Sequence, residues 1–239
     1  MKNMLIVGAS RGLGDALSRG LPQDGDTAWL VSRGKPQSLM QQDGVTRIWI
    51  ETDMSSPEAS SQIVAALGGQ RVDAIIYNVG IWESTAFSDD YDFAAIALTD
   101  HERIVQVNLL SAIHCIQAVL PNLKQADHAK VILIGSISGI ENTGSLEVSY
   151  VASKFGVRGI AHALRENLRV DGIAVSCINP GMIATEIPYE VGINQVLTQF
   201  NGTQIPVQDV VAIVQCILSL SHASCVKEIM MPAMADIWA

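Results

Sequence analysis

Met4-Leu5-Ile6-Val7-Gly8-Ala9-Ser10-Arg11-Gly12-Leu13-Gly14 decides the fold. The short, unbroken apolar run reads as a strand covered on both faces, and the glycines behind it lead into Asp15–Leu21, which has helical character. Glycines at such a junction let the backbone turn tightly and approach a pyrophosphate with no Cβ in the way. The helix that follows offers free N–H groups and the positive end of its dipole to the same anion. The spacing is G-x-x-x-G-x-G, and taken alone an ordinary strand–helix turn would carry the same three glycines.

Working outward, the pattern repeats along the chain. Strands are expected at Met4–Val7, Ala28–Ser32, Arg47–Glu51, Ala74–Tyr77, Val131–Gly135, Ile173–Ile178 and Glu228–Met231. Between them lie helix signals. Capping residues and Pro57 precede Ala59–Leu67, Thr99-Asp100-His101-Glu102 opens a longer run to Leu120 before Pro121, and Phe155–Leu168 reads as a further helix. Alternating strand and helix implies βαβ units, a parallel sheet and right-handed crossovers. No composition break, repeat or linker divides the 239 residues, so one doubly wound α/β domain is expected.

Composition narrows the partners. Apolar residues make up 49% and charged residues only 16%, against about 25% charged in an average domain, which excludes a disordered chain. It also suggests that another subunit covers part of the surface. Fifteen Lys and Arg against 24 Asp and Glu give a net charge of −9, which argues against nucleic acid and anionic membranes. No stretch has the 18 or so consecutive apolar residues of a membrane span, and the start has too short an apolar run for a signal peptide. Cys115, Cys177, Cys216 and Cys225 are scattered with no C-x-x-C pair, as in a reducing compartment. A cytoplasmic protein is the expectation.

The second strand should read the adenosine ribose. A 2′-hydroxyl is usually held there by a carboxylate, whereas a 2′-phosphate needs cations. The chain gives Val31-Ser32-Arg33-Gly34-Lys35, with no carboxylate and two basic residues, and Arg11 in the glycine loop could flank the same phosphate. In so acidic a chain this favours NADP(H) over NAD; solvated loop charges are the plainer alternative.

Tyr150-Val151-Ala152-Ser153-Lys154 places a phenol and an ammonium on one helical face. A phenol with pKa about 10 exchanges protons poorly near neutrality, and a neighbouring cation favours the phenolate, which suits an acid/base acting on a carbonyl or alcohol oxygen. Gly135-Ser136-Ile137-Ser138-Gly139 sets hydroxyls at the carboxyl end of a central strand, where doubly wound sheets bind ligands. It is not a hydrolase G-x-S-x-G elbow, because Ile137 is the middle residue.

Taken together and in this order, these motifs resemble the short-chain dehydrogenases/reductases over nearly the whole chain. Gly8, Gly12 and Gly14 match that family's cofactor loop and Asp53 its adenine-contacting acid. Asn78-Val79-Gly80 matches the Asn-Ala-Gly motif, Asn108 the structural and catalytic asparagine, and Pro180-Gly181 through Thr185 the segment that holds the nicotinamide. The resemblance implies a Rossmann-type sheet of about seven strands with helices on both faces. It implies Tyr150 as acid/base, Lys154 lowering its pKa and bonding the nicotinamide ribose, Ser136 on the reacting oxygen and Asn108 anchoring a water. Around the cofactor it adds Ser10, Arg11, Leu13, Arg33, Met54, Asn78, Gly80 and Ile183. Asn108 and Asn78 have structural alternatives, as cap or kink and as strand tie.

The activity implied is metal-free, NADP(H)-dependent interconversion of a carbonyl and an alcohol, by a homodimer or homotetramer. Its small-molecule substrate is expected beneath a loop at about 182–204 carrying Ile183, Ile187, Pro188, Tyr189 and Val191, with Trp82, Glu83, Ile140 and Glu141 across the cleft. An NAD-dependent alcohol dehydrogenase, a 3-oxoacyl thioester reductase and a non-catalytic NADP(H)-binding regulator are the alternatives. Val7, Tyr77, a Ser136–Tyr150 spacing one residue longer than common and a tail without Gly-Gly depart from the family pattern.

Overall fold

The computed structural model describes residues 1–141 and 144–236. Seven strands form one parallel sheet: β1 (Asn3–Val7), β2 (Thr27–Ser32), β3 (Thr46–Glu51), β4 (Ala74–Tyr77), β5 (Lys130–Ile134), β6 (Ala174–Pro180) and β7 (Glu228–Met231). Their spatial order is β3-β2-β1-β4-β5-β6-β7, so the winding direction reverses between β1 and β4. Val7 pairs with Val31 on one side and Tyr77 on the other, and the carboxyl ends of the strands therefore finish level around the glycine loop. A ligand crevice belongs at that reversal.

Seven helices cover the sheet: α1 (Gly12–Gly20), α2 (Ala59–Leu67), α3 (Leu98–Val105), α4 (Ser111–Leu123), α5 (Val148–Leu168), α6 (Ile193–Phe200) and α7 (Val207–Ser219). Alternate strand residues sort onto two cores. Met4, Ile6, Leu30, Ile76, Ile132 and Ile178 meet α1 and α7 on one face. Leu5, Val7, Val31, Ile75, Val131 and Val175 meet α2, α4 and α5 on the other. Both faces being buried is what the near-continuous apolar runs require, and each fully buried Leu or Ile contributes about 1.5–3 kcal/mol. Lys130 opens β5 and turns its buried ammonium to the last turn of α7, donating to the Ile217 and Leu220 carbonyls at 2.6 and 2.7 Å. They belong to the last turn and the C-cap of the helix, whose carbonyls run short of intrahelical donors.

Four expectations are corrected. The first helix starts at Gly12, with Arg11 as its N-cap, three residues ahead of the expected Asp15. Pro121 does not end its helix: α4 continues to Leu123, since proline removes only one amide donor and the chain is packed on both sides of it by Val119 and Leu123. A π-helical turn, Gln106–Leu110, joins α3 to α4 into one run, Leu98–Leu123. That run is 26 residues with a mean hydropathy of 1.5 in its most apolar window, long and apolar enough to cross a bilayer by length and composition. Here its apolarity serves the core on the sheet, through Ala112, Cys115, Ile116, Val119 and Leu123. Lastly, α5 begins at Val148, so Tyr150 lies inside its first turn rather than ahead of the helix.

Candidate active site

The glycine loop is built as the spacing requires. A Cβ on Gly14 would lie 1.7 Å from the Gly8 carbonyl oxygen, and Gly8 and Gly12 hold φ of +87° and +53°. The loop is fixed by the Gly8 and Ala9 amides, which donate to the Val31 carbonyl at 2.8 and 3.1 Å. Asn78 is a tie between strands here: its amide donates to the Val7 carbonyl and its side chain to the Gly8 carbonyl. Leu13 is buried under the loop and Ser10 is half-buried at its rim, near Gly34. The Thr185 side chain closes over Gly12, where a Cβ would meet it at 3.0 Å. This cradle fits a dinucleotide pyrophosphate, since only glycine permits the turn and the α1 amides face it.

At the ribose end, Arg11, Arg33 and Lys35 are all exposed. Arg33 pairs with Asp53 at 3.7 Å. Asp53 also accepts from the Ser55 amide and hydroxyl, and its carboxyl sits below the usual range; burial works against that lowering, while those bonds and then the Arg33 and Arg103 charges produce it. The side chain of Met54, expected at the cofactor, is buried in the core.

Across the crevice Ser136, Tyr150 and Lys154 come together, all buried. Ser136 follows β5 and accepts from the Ser138 amide at 3.1 Å, and its hydroxyl is near enough to the Tyr150 phenol to favour the phenolate. Lys154 donates to the Ile134 carbonyl at 3.2 Å and stands 5.5 Å from the centre of the Tyr150 ring. Gly80 lies against it, since a Cβ there would be 3.4 Å from Nζ. Burial pushes the lysine down to about 8. The phenol does not behave as expected from the sequence. Burial raises it, the Ser136 hydroxyl opposes this, and the Glu147 and Glu83 charges raise it further, so in the chain by itself the Lys154 ammonium does not bring it below its ordinary value.

Asn108 lies on the π-helical turn, and its side chain is fully used by protein. Oδ1 accepts from the Ile81 amide, and Nδ2 donates to the Ile81 carbonyl and the Ser153 hydroxyl, each at 2.8 Å. Its position ties the segment after β4 to α5. Pro180 ends β6, and Ile183 pairs with Ile205 to close the 182–204 loop at its base.

The proposed substrate walls are partly corrected. Tyr189 packs away from the crevice onto α1, where a Cβ on Gly20 would be 2.6 Å from its hydroxyl, and Glu190 pairs with Arg19. Ile187 is buried against Ala184 and Val196. Apolar loop residues pack on the scaffold as readily as on a ligand. Trp82 does stand at the cleft, joined by a residue that sequence reasoning passed over, Phe87. The Trp82, Phe87 and Tyr150 rings meet edge to face, with centroids 5.3–6.2 Å apart. Glu83 lies beneath them, fully buried.

A family model for short chain dehydrogenases matches residues 2–195. A 3-oxoacyl-[acyl-carrier-protein] reductase of rhamnolipid biosynthesis from Pseudomonas aeruginosa is 26% identical over 215 residues, covering 84% of this chain and 80% of its own. Among solved structures, a 3-oxoacyl-[acyl-carrier protein] reductase from Brucella melitensis in complex with NAD superposes with a TM-score of 0.80 at 21% identity, over 97% of this chain and 95% of that one. L-sorbose reductase from Gluconobacter frateurii, complexed with NADPH and L-sorbose, gives 0.81 at 19%, over 98% and 97%. At such identity the structural likeness is one of fold. The chain belongs to the short-chain dehydrogenase family.

Proposed function

We propose that this short-chain dehydrogenase is an NADP(H)-dependent oxidoreductase that interconverts a ketone or aldehyde with an alcohol. The observation that carries the reading is the meeting of Ser136, Tyr150 and Lys154 beside the glycine loop, at the carboxyl ends of the central strands. When bound, the nicotinamide supplies or accepts the hydride. Gly8, Gly12, Gly14, Ser10 and Leu13 would hold the pyrophosphate end, Asp53 and Asn78 the adenosine side, and Pro180, Ile183 and Thr185 the carboxamide. Arg33 and Arg11 support NADP(H), being exposed cations beside the loop, with Arg33 free to exchange its long contact to Asp53 for a 2′-phosphate.

In the reductive direction Tyr150 gives its proton to the substrate oxygen, and Ser136 holds that oxygen through its hydroxyl. Lys154 stabilises the phenolate that remains, and at about 8 its own proton is available near neutrality. Trp82 and Phe87 make an apolar wall, which favours a neutral, hydrophobic carbonyl substrate. Exposed apolar residues on α4 and α5 support a homodimer or homotetramer, and four unpaired cysteines fit a cytoplasmic setting.

Titration with NADPH and with NADH, followed by nicotinamide fluorescence, tests the cofactor. NADPH should bind at least tenfold tighter, and equal or tighter NADH binding would overturn the Arg33 reading. Tyr150→Phe should keep cofactor affinity and lose turnover by roughly 10²–10⁴-fold. Tight binding with no turnover on a broad carbonyl panel would point instead to a regulator.

A further inference from the structure

The segment from Gly80 to Tyr91 and the first turn of α5 hold each other through two buried carboxylates. From the segment, Glu83 Oε1 accepts the Ser149 amide at 2.8 Å and the Tyr150 amide at 3.3 Å. From the helix, Glu147 Oε1 accepts the Phe87 amide at 2.8 Å. The remaining amides of that turn are also met: Val148 donates to the Tyr91 hydroxyl, and Val151 to the Glu147 carbonyl. Phe87 keeps φ at +60°, a conformation that costs a non-glycine residue about 1–2 kcal/mol and persists only where contacts enforce it. Glu83 is fully buried and Glu147 nearly so, yet Oε2 of each has no hydrogen-bond partner among the described residues. Burying a carboxylate with one oxygen unmet is expensive, and a neutral cap such as Ser or Asn would serve the helix alone.

We infer that Glu83 is a positioning residue for Tyr150: its carboxylate caps the helix turn that carries the phenol and holds the Trp82–Phe87 wall to that turn as one unit. The negative charge at a helix N-terminus meets the positive end of the dipole, so the cap is stronger than a hydroxyl would make it. It also faces the phenol. The charged or titrating groups around Tyr150 are Lys154 and Glu147 on its own helix, Glu83 on the segment after β4 and the Ser136 hydroxyl from the loop after β5; His101 bonds Ser149 one residue away. Of these, Glu83 alone both bonds the Tyr150 backbone and adds charge near its ring.

This rests on Tyr150 being the acid/base, and the two ideas separate experimentally. In Glu83→Gln the acceptor oxygen stays and the charge goes. The phenolate absorbance step that disappears in Tyr150→Phe should move down by about one pH unit, and the pH limb of kcat/KM for alcohol oxidation should move with it. An unmoved step in a folded Glu83→Gln protein overturns the inference. Wild-type turnover by Tyr150→Phe would instead overturn the acid/base reading, while the absorbance step would still report on Glu83. Glu83→Asp keeps the charge but withdraws it by one methylene. There the limb should stay, kcat should fall at least tenfold and cofactor affinity should hold; a wild-type kcat would overturn the positioning role even if Glu83→Gln fails to fold.

Discussion

Among the described residues Lys154 has one hydrogen-bond partner, a carbonyl 3.2 Å away, and beyond the Tyr150 ring it is otherwise enclosed. Its charge is therefore a burden on the fold that catalysis would require. Burial lowers it from 10.5 to about 8, so the unfolded chain binds more protons between those values and stability rises with pH through that window. Below pH 8 the cost is present in full, about 3 kcal/mol at roughly 1.4 kcal/mol per unit. Lys154→Met removes it. Thermal unfolding at pH 7 should rise by roughly 6–12 °C while turnover is lost, and the gain should shrink as the pH is taken from 8 to 10. A Tm below wild type at pH 7 would show that the ammonium is better satisfied than its single bond suggests. The residue types at this site were legible in the sequence, because a Tyr and a Lys four apart can be recognised without knowing the fold. Their acidities were not. The carboxylates that raise the phenol come from Glu83, more than sixty residues upstream, and from Glu147, whose burial no pattern announces.

Among elements, the strands were legible almost to the residue, since a strand buried on both faces writes itself as a run of Val, Ile and Leu. The 182–204 loop was not, because an apolar residue in a loop looks the same whether it faces scaffold or ligand. Its anchorage to α1 makes a distinct prediction. Tyr189 is seated against Gly20, Gln208 donates to the Tyr189 carbonyl at 2.7 Å, and Arg19 pairs with Glu190. Gly20→Ala sets a methyl where the Tyr189 hydroxyl and a Val211 methyl now stand, so the ring must leave its seat. The KM for the carbonyl substrate should rise several-fold and the cofactor Kd should not change. An equal loss in both would place the anchor under the whole crevice.

For the whole molecule, the doubly wound order explains why residues as far apart as Gly8, Ser136 and Thr185 gather at one edge of the sheet. What the sheet does not bury is also informative. Leu110, Ile113, Val148 and Phe155 on α4, α5 and the turn before α4 remain exposed in a chain with only 16% charged residues. If these faces join subunits, light scattering at micromolar concentration should give two or four times 25.6 kDa. Ile113→Glu should then shift the population toward monomer, because a charge at the centre of such a face is left unpaired. A wild-type monomer would refute the assembly.

The π-helical turn at Gln106–Leu110 has a consequence for how this chain can vary in length. A π-turn holds one residue more than the α-turn it replaces, and each helical residue advances the side-chain direction by about 100°. Deleting Leu110 would let the turn close to a regular α-turn with Ile116, Val119 and Leu123 still on the core, while Asn108 would lose the widened turn that seats its three bonds. The core stripe therefore tolerates the loss of the spare residue, and it is the site asparagine that the widened turn serves.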